Sequence, residues 1–350
     1  MRVLVAMSGG VDSSVVAGLL HEAGHDVIGV TLQLYDHGAA TARKGACCAG
    51  QDIYDAKRVA DRLGIAHYVI DAEARFSDSV IAPFADSYAN GETPVPCIAC
   101  NQTVKFGDLS VLAAGLGAER LATGHYVRRL DGPDGAELHR AVDAARDQSW
   151  FLYATTRSQL ERCLFPLGDM PEKRAVRAIA DRLGLAVADK PDSQDICFVP
   201  TGGYTDVVAR VRPDALEPGE IVTADGTPVG QHDGIAHYTV GQGKRLGPAA
   251  QLGGTRQMVL GTDPARRRII IGPRGSGTHT VPLRDVNWLM PTPTAPLRCT
   301  VKLRARDEPR PASVHGTTVT LDEPALPAPG QACVFYADTR ILGGGVIARA

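Results

Sequence analysis

Hydrophobic and polar positions alternate in blocks along the first two hundred residues. Short apolar runs, which are typical of buried strands, are followed by segments in which apolar residues recur every three or four positions, as on one face of a helix. The pattern predicts strands over 2–7, 26–34, 67–71 and 120–123, and helices over 12–20, 52–63, 76–90 and 104–117. Strands that alternate with helices in this way are typical of an α/β fold, in which helices cover both faces of a parallel sheet.

The pattern changes after Pro200. Helical periodicity fades, and short alternating runs appear; over 299–306, for example, Cys299 and Val301 share one face of a predicted strand while Lys302 and Arg304 share the other. Half-buried strands of this kind predict a small β-barrel or sandwich in the last third of the chain. We therefore divide the chain into a parallel-sheet domain over 1–200, a small linking domain over 201–273 and a C-terminal β-barrel domain over 274–350.

The loop Ser-Gly-Gly-Val-Asp-Ser, residues 8–13, joins the first predicted strand to the first predicted helix. Glycines let the backbone turn tightly and approach a ligand, and a helix N-terminus directs free amide groups at an anion. Ser8 and Ser13 add hydroxyl donors, and Asp12 is a candidate ligand for Mg²⁺. The loop lacks the lysine of a Walker loop. It is similar instead to the pyrophosphatase loop of enzymes that split ATP into AMP and pyrophosphate.

Other predicted loops should lie beside this one. Ligands of parallel sheets bind at the carboxyl ends of the strands. We therefore expect the loop 8–13, Leu32 at the end of the second strand and the segment 123–126 to meet at one rim. Gly124 would allow close approach to a nucleotide. His125 would either meet a second substrate or serve as a structural hydrogen-bonding group.

Composition narrows the class of protein. The chain of 350 residues is 44% hydrophobic and 22% charged, with a net charge of −2, which is ordinary for a globular protein. The sequence shows neither an apolar stretch long enough to span a membrane nor the pattern of a secretory signal. Eight cysteines in such a chain favour thiol or metal chemistry over a disulfide scaffold. We therefore expect a cytoplasmic protein without a membrane partner.

One segment is strongly basic. Between Arg266 and Arg310, ten Arg or Lys residues stand against three Asp or Glu residues, an excess of seven positive charges. Such a cluster is typical of a surface that binds nucleic-acid phosphates, and also of an ordinary solvated face.

The cysteines fall into distinct settings. Cys97 and Cys100 open a predicted helix after a proline-rich loop, a place where a thiol has a lowered pKa and becomes more nucleophilic. This Cys-x-x-Cys pair is compatible with half a zinc site, a redox pair or a coincidence, and Cys197 lies far along the chain. The adjacent Cys47 and Cys48 are not expected to ligate one metal ion together. Cysteines with apolar neighbours, which we expect in the core, are Cys163, Cys299 and Cys333.

Several motifs occur together and in order. They are the loop 8–13, Cys-Asn-x-x-x-Lys-Phe over 100–106, Ala-Thr-Gly-His-Tyr over 122–126, Arg-Asp-Gln-Ser-Trp-Phe-Leu over 146–152 and Ser-Gln-Asp-Ile-Cys-Phe over 193–198. Tyr-Thr-Val-Gly-Gln over 238–242 and Gly-Gln-Ala-Cys-Val-Phe-Tyr over 330–336 extend the set over nearly the whole chain. In this combination the sequence resembles the bacterial tRNA-specific 2-thiouridylase family.

The resemblance implies an N-terminal ATP-pyrophosphatase domain of the adenine nucleotide alpha hydrolase-like type and a tRNA-uridine 2-sulfurtransferase activity. Such an enzyme uses ATP and Mg²⁺ to adenylate the C2 oxygen of the wobble uridine in tRNAs for Lys, Glu and Gln. It then replaces that oxygen with sulfur brought by a persulfide donor protein. The implied carrier of the persulfide is Cys197, and the implied nucleophile that releases the sulfur is Cys100, which leaves a Cys100–Cys197 disulfide.

The resemblance also implies two sets of binding residues. ATP would contact Ala6, Met7, Ser8, Gly9, Gly10, Val11, Asp12, Ser13, Leu32 and Gly124. The tRNA would contact Val95, Pro96, Cys97, His125, Arg146, Asp147, Gln148, Arg304, Ala305 and Gln331.

The sequence departs from the family pattern in three places. Cys97 stands where many members carry aspartate, Ala305 stands where an aromatic residue is frequent, and the order of basic residues differs over 243–247. With a cysteine at this position, Cys97, Cys100 and Cys197 are candidate ligands of an iron–sulfur cluster, which would deliver sulfur in place of the persulfide. A different class also stays open, an ATP-pyrophosphatase ligase that joins small molecules.

Overall fold

The computed structural model describes residues 1–35, 48–192, 196–199, 203–275 and 277–349. Outside these ranges lie Cys47, the motif residues 193–195 and the proposed boundary at 200–201; the side chain of Cys48 is also not described.

Strands run throughout the described chain. In order they are β1 (Arg2–Ala6), β2 (Asp26–Gln33), β3 (Ala66–Asp71), β4 (Arg120–Ala122), β5 (Val127–Gly132), β6 (Gly135–Arg140), β7 (Cys163–Leu164), β8 (Gly219–Thr223), β9 (Pro228–His232), β10 (Gln251–Leu252), β11 (Thr255–Asp263), β12 (Arg268–Pro273), β13 (Thr278–Trp288), β14 (Leu297–Lys302), β15 (Arg310–His315), β16 (Thr318–Ala325), β17 (Ala332–Ala337) and β18 (Arg340–Ile347).

The α-helices lie in the first two thirds of the described chain. They are α1 (Val11–Glu22), α2 (Cys48–Leu63), α3 (Glu73–Phe76), α4 (Ala82–Ala89), α5 (Pro96–Cys100), α6 (Leu109–Gly115), α7 (Arg157–Arg162), α8 (Lys173–Arg182) and α9 (Tyr204–Val211). Two π-helical segments, Ser77–Ile81 and Asn101–Asp108, join α3 to α4 and α5 to α6. Short 3₁₀ turns cover Ser149–Leu152, Pro213–Leu216, Ile235–His237 and Gly247–Ala250.

The N-terminal sheet is parallel, with the strand order β3-β2-β1-β4-β7. Successive side chains of a strand point to opposite faces. In β1, Leu4 packs on one side with Phe106, while Val3 and Val5 pack on the other with Val15 of α1. All three strand residues are fully buried because helices cover both faces. The predicted parallel α/β fold is confirmed.

The rest of the chain is built from β-sheets. A mixed sheet with the order β10-β11-β12-β8-β9 forms the linking domain. In the C-terminal domain the order β13-β16-β15-β14-β17-β18 closes on itself, because β13 also pairs with β18. Its interior includes Cys299, Val301 and Cys333, which are buried as predicted. The predicted β-barrel is confirmed.

A hairpin of the N-terminal part joins the barrel, which the sequence pattern did not predict. Strands β5 and β6 pair with each other, and β6 continues the barrel sheet beside β18, where His139 pairs with Arg340. Glu137 reinforces this edge, since its carboxylate contacts Arg340 at 2.9 Å and His139 at 3.0 Å. The first and last domains are therefore joined by a shared sheet.

No helix in the described ranges combines the length and the apolar character that crossing a bilayer requires.

Candidate active site

The loop between β1 and α1 is closed by its own serines. The Ser8 amide donates to Ser13 Oγ at 3.1 Å, and the two hydroxyl oxygens lie 3.3 Å apart. Gly9 has a φ of +74°, and a Cβ there would lie 2.2 Å from the backbone oxygen of Asp52. Since a side chain would be both strained and in collision with backbone, the loop requires glycine at this position.

Predicted neighbours of the loop meet it at the carboxyl edge of the sheet. Gly124, which follows β4, lies so close that a Cβ there would be 2.9 Å from the Ser13 amide nitrogen. The Met7 amide donates to the carbonyl of Val30 in β2 at 2.8 Å. Leu32, two residues further along β2, packs against the buried clusters beneath this edge. The predicted rim is therefore present.

Asp12, in the first turn of α1, is already paired with a cation. Both of its carboxylate oxygens accept hydrogen bonds from Lys173 Nζ at 2.7 Å, and one also accepts from Tyr126 Oη at 2.6 Å. Lys173 is the first residue of α8 and is 9% exposed. A buried ammonium beside the loop offers a positive charge to an anion bound there.

A second carboxylate, Asp192, shares this cation. It contacts Lys173 at 2.7 Å and Arg146 at 2.7 Å. Burial raises the pKa of Asp192, but the hydrogen bonds and charges of Lys173 and Arg146 outweigh it, so the pKa lies below its usual value. Asp192 is therefore ionised at neutral pH and ties Arg146, a predicted tRNA contact, to the loop.

Another lysine contacts the loop from its far side. Lys190 Nζ donates to the carbonyl of Gly9 at 3.0 Å and forms ion pairs with Asp52 at 2.7 Å and Asp55 at 2.6 Å. The sequence analysis did not predict Lys173 or Lys190. Neither lies in a recognisable motif. Lys173 is 161 residues from Asp12, and Lys190 is 138 residues from Asp52 and 135 from Asp55.

The predicted nucleophile lies on a short helix. Val95 precedes α5, Pro96 opens it, and Cys100 ends it in a buried position, whereas Cys97 is exposed. The chain then continues as the π-helix Asn101–Asp108. This geometry is rare in proteins overall, but where it occurs it is often at a functional site.

The segments that carry the predicted thiols pack together. Cys100 packs with Phe198, the residue after Cys197, in one buried cluster. The Cys197 thiol is close enough to Cys100 and Cys97 for both to raise its pKa. All six cysteines whose side chains the structure describes are free, including the buried Cys163.

Their acidity differs from the prediction. Desolvation by surrounding side chains raises the pKa of Cys97 and of Cys100, and raises that of Cys197 to about 12. The expected lowering at a helix N-terminus is wrong, because desolvation is the largest contribution to the pKa of each thiol and raises it. Cys100 also ends α5 and does not open it. The thiols are therefore mostly protonated at neutral pH.

Lys105 is the cation that opposes this effect. Its charge lowers the pKa of all three thiols, after the larger contribution of desolvation. It also faces His125, whose pKa lies well below its usual value because of burial first and Lys105 second. The neutral His125 ring lies 5.9 Å from that of Phe106. Lys105 thus connects the cysteine site to the rim at Gly124.

Several predicted tRNA contacts have internal partners. Asp147 accepts from Ser149 Oγ at 2.8 Å, and Gln148 Oε1 accepts from the Tyr126 amide at 3.0 Å. Both side chains thereby shape the turn beside the rim, and a role in tRNA binding stays a prediction.

The predicted contacts of the barrel domain lie at domain junctions. Arg304 Nη2 donates to the carbonyl of Val240 at 3.0 Å, and Gln331 Nε2 donates to that of Thr93 at 2.9 Å. Ala305 packs against the large core cluster.

Much of the basic segment is neutralised. At least five of its ten basic residues form ion pairs with carboxylates, namely Arg266, Arg267, Arg268, Arg284 and Arg298. The excess of positive charge counted along this segment is therefore larger than the net positive charge that would be available to bind a phosphate.

In the described part of the chain, no three or more His, Cys, Asp or Glu side chains are arranged to hold a metal ion. The three thiols are therefore not arranged to hold iron, although sulfur donors suit it. The carboxylate of Asp12 suits Mg²⁺, which takes one or two carboxylates together with substrate phosphates and water.

The fold and the site define an α/β nucleotide-binding protein with a thiol cluster beside its phosphate loop. Residues 1–201 match the family described as tRNA methyl transferase HUP domain, residues 205–273 the tRNA methyl transferase PRC-barrel domain, and residues 278–347 the aminomethyltransferase beta-barrel domain. The chain belongs to the tRNA-specific 2-thiouridylase family, because curated relatives of that name match it at 57% to 68% identity over nearly its whole length.

Curated relatives match over the full length. The chain is 68% identical to the tRNA-specific 2-thiouridylase MnmA of Acidiphilium cryptum, over 99% of this chain and 100% of the relative. It is 60% identical to the protein of that name from Gluconobacter oxydans, over 99% of both chains. A third, from Rhodospirillum centenum, is 57% identical over 100% of this chain and 92% of its own.

Proposed function

We propose that this protein is a tRNA-uridine 2-sulfurtransferase, which uses ATP to replace the C2 oxygen of the wobble uridine in tRNAs for Lys, Glu and Gln with sulfur. The observation that carries the proposal is the packing of Cys100 with Phe198, the residue after Cys197, in a buried cluster that also contacts Leu32 near the carboxyl end of β2. Full-length relatives named as tRNA-specific 2-thiouridylases support it. A small-molecule ligase would require no such thiol pair. We place the enzyme in the cytoplasm.

Adenylation comes first, because an oxygen bound to C2 of uracil is a poor leaving group. The C2 oxygen attacks the α-phosphorus of ATP, and the bond to pyrophosphate breaks. The amides and hydroxyls of Ser8 and Ser13 would bind the pyrophosphate. Lys173 would supply the ammonium that this loop lacks in comparison with a Walker loop. Mg²⁺, when bound near Asp12, would neutralise further phosphate charge.

Sulfur transfer follows through the two thiols. A donor protein leaves a persulfide on Cys197, and its terminal sulfur bonds to C2 as AMP departs with the original oxygen. The Cys100 thiolate then attacks the Cys197 sulfur, and the persulfide bond breaks with its electron pair going to the sulfur on C2. The resulting Cys100–Cys197 disulfide is reduced by an external thiol before the next turnover.

The target base must leave the anticodon stack to reach this site. We propose that residues 95–97 lie against the extruded base and that His125, Arg146 and Arg304 contact the surrounding tRNA. The domain boundaries at 200–201 and 273–274 also remain proposals.

Substituting methionine for Lys105 should slow the thiol chemistry. Without the ammonium, the pKa of Cys100 rises further, and each unit lowers the thiolate fraction at neutral pH about tenfold. We expect the pH profile of Cys100 alkylation by iodoacetamide, followed by mass spectrometry of its peptide, to move to higher pH. Lys57→Met on the exposed side of α2 serves as the control. A profile that does not move would show that Lys105 does not act on Cys100.

Iron analysis decides between the persulfide and a cluster held by Cys97, Cys100 and Cys197. The protein is purified without oxygen, iron and acid-labile sulfide are measured per chain, and 2-thiouridine formation on tRNA with ATP is assayed before and after iron is stripped. We expect activity to persist without iron, and Cys97→Asp to remain active. The cluster would be established instead if the wild-type protein binds iron, if Cys97→Asp loses that iron, and if thiolation activity is lost together with the iron. Absence of 2-thiouridine under every condition would refute the sulfurtransferase.

A further inference from the structure

A turn of four residues, 90–93, separates α4 from the segment that enters α5. The carbonyl of Asn90 accepts a hydrogen bond from Arg349, and that of Gly91 accepts one from Thr262 Oγ1 at 2.9 Å. Gly91 has a φ of +65°, and a Cβ there would lie 2.2 Å from the Thr262 hydroxyl. Arg349 follows the last strand of the barrel and Thr262 belongs to the linking domain, so both domains contact consecutive residues of the turn.

The next two residues are held in the same way. The carboxylate of Glu92 forms a bidentate pair with Arg284 of β13, at 3.1 and 2.8 Å, and is 17% exposed. The Thr93 amide donates to the carbonyl of Pro329 at 2.8 Å, and its own carbonyl accepts from Gln331 at 2.9 Å. Thr93 Oγ1 lies 3.1 Å from Thr239 Oγ1 of the linking domain.

The barrel is shaped to make these contacts. The register of β13 against β18 shifts between Arg284 and Asn287, and Asp285 within this bulge has a φ of +53°. A bulge redirects the side chains beside it, and here it presents Arg284 to Glu92. On the opposite side, Gly330 has a φ of +88°, and a Cβ there would lie 2.9 Å from the Thr93 nitrogen.

We propose that residues 90–93 form a three-domain clamp that positions the nucleophile helix, and that Glu92 and Arg284 are positioning residues for Cys100. Only Pro94 and Val95 separate the clamp from α5, so a shift of the barrel or linking domain moves the start of that helix. Gln331, a predicted tRNA contact, is also part of the clamp. Docking of tRNA on the outer domains would thereby set the position of Cys100 for sulfur transfer.

The inference rests on the proposed role of Cys100, and Glu92→Ala tests it. Misplacing a reacting group by about 1 Å costs up to about a hundredfold in rate. We expect single-turnover thiolation by Glu92→Ala at saturating tRNA to fall about tenfold or more, while the Kd for tRNA changes less than about twofold. Because the start of α5 loosens, Cys100 should be alkylated several times faster, as followed on its peptide. Glu92→Gln, which retains a hydrogen bond to Arg284, should recover part of the rate.

The matched control is Asp322→Ala. It removes the bidentate partner of Arg298, an exposed pair on the barrel domain that does not belong to the clamp. It should keep the wild-type rate and alkylation profile even if both variants lose similar thermal stability. The clamp would be overturned if Glu92→Ala kept the wild-type thiolation rate and the wild-type alkylation of Cys100. It would also be overturned if the control lost as much thiolation rate as Glu92→Ala, or if Glu92→Ala lost only affinity for tRNA. If the wild-type protein makes no 2-thiouridine, the proposed function fails, whereas the alkylation comparison still decides whether the clamp positions Cys100.

Discussion

Cys100→Ser is expected to abolish 2-thiouridine formation while ATP-dependent release of pyrophosphate continues in the presence of tRNA. A serine hydroxyl does not attack the Cys197 sulfur under these conditions, so the sulfur stays linked to the protein. The phosphate loop is unchanged, because Cys100 lies on α5 and not on β1 or α1. Thiolated nucleoside is measured by mass spectrometry after digestion of the tRNA, and pyrophosphate by a coupled assay.

Cys197→Ser should also abolish 2-thiouridine formation, but at an earlier step of the reaction. Without the carrier thiol no persulfide forms, so the tRNA is adenylated but never linked to the protein through sulfur. Cys299→Ser in the barrel is the control for thiol removal, and it should keep full thiolation. A Cys100 or Cys197 variant that thiolates tRNA at the wild-type rate would end the assignment of these two residues.

Asp12→Asn is expected to stop pyrophosphate release itself. The carboxylate holds Lys173 beside the loop with two contacts of 2.7 Å, and it is the candidate ligand for Mg²⁺. The amide of asparagine keeps one oxygen that can accept from Lys173, but it carries no charge to hold the ammonium or Mg²⁺. The charge that develops on the departing pyrophosphate therefore loses stabilising cations. Removal of one such electrostatic contact typically costs about a hundredfold to a thousandfold in rate. We expect losses of this size for Asp12→Asn and for Lys173→Met.

The control for this pair is Asp26→Asn, which alters an exposed contact with Arg2 in the same domain. It should leave pyrophosphate release unchanged. A direct measurement of ATP binding shows whether a loop variant fails because it does not bind ATP or because it does not release pyrophosphate from bound ATP. If Lys173→Met binds ATP normally and releases pyrophosphate at the wild-type rate, Lys173 only neutralises Asp12 and Asp192, and its proposed contact with pyrophosphate is wrong.

The elements and their shared edge could be predicted because their signals are local. Apolar periodicity marked the strands and helices, and the glycines of the loop marked the turn that follows β1. Once the strands were taken as parallel, their carboxyl ends had to share one side of the sheet. The hairpin β5–β6 escaped prediction because its pairing with the barrel depends on β18, some two hundred residues away.

The acidity of the thiols shows the limit of local reasoning. A helix N-terminus can be read from the sequence, and by itself it lowers the pKa of a cysteine. Desolvation cannot be read in this way, because it depends on what packs around the thiol, here Phe198 and its neighbours from a distant segment. Desolvation, which has the larger effect on the pKa of these thiols, therefore has no local signal in the sequence.

The roles of Cys100 and Cys197 were implied only by the resemblance to a known family. By itself, the sequence determined the α/β and β-barrel parts and the phosphate loop at its strand end. Each of these depends on residues close together in the chain, or on a regular alternation of polar and apolar positions. Only the tertiary structure decided that Lys173 contacts Asp12, that desolvation keeps the thiols protonated and that three domains hold residues 90–93. These features arise from contacts between segments a hundred or more residues apart, whose charges and burial exist only after the chain has folded.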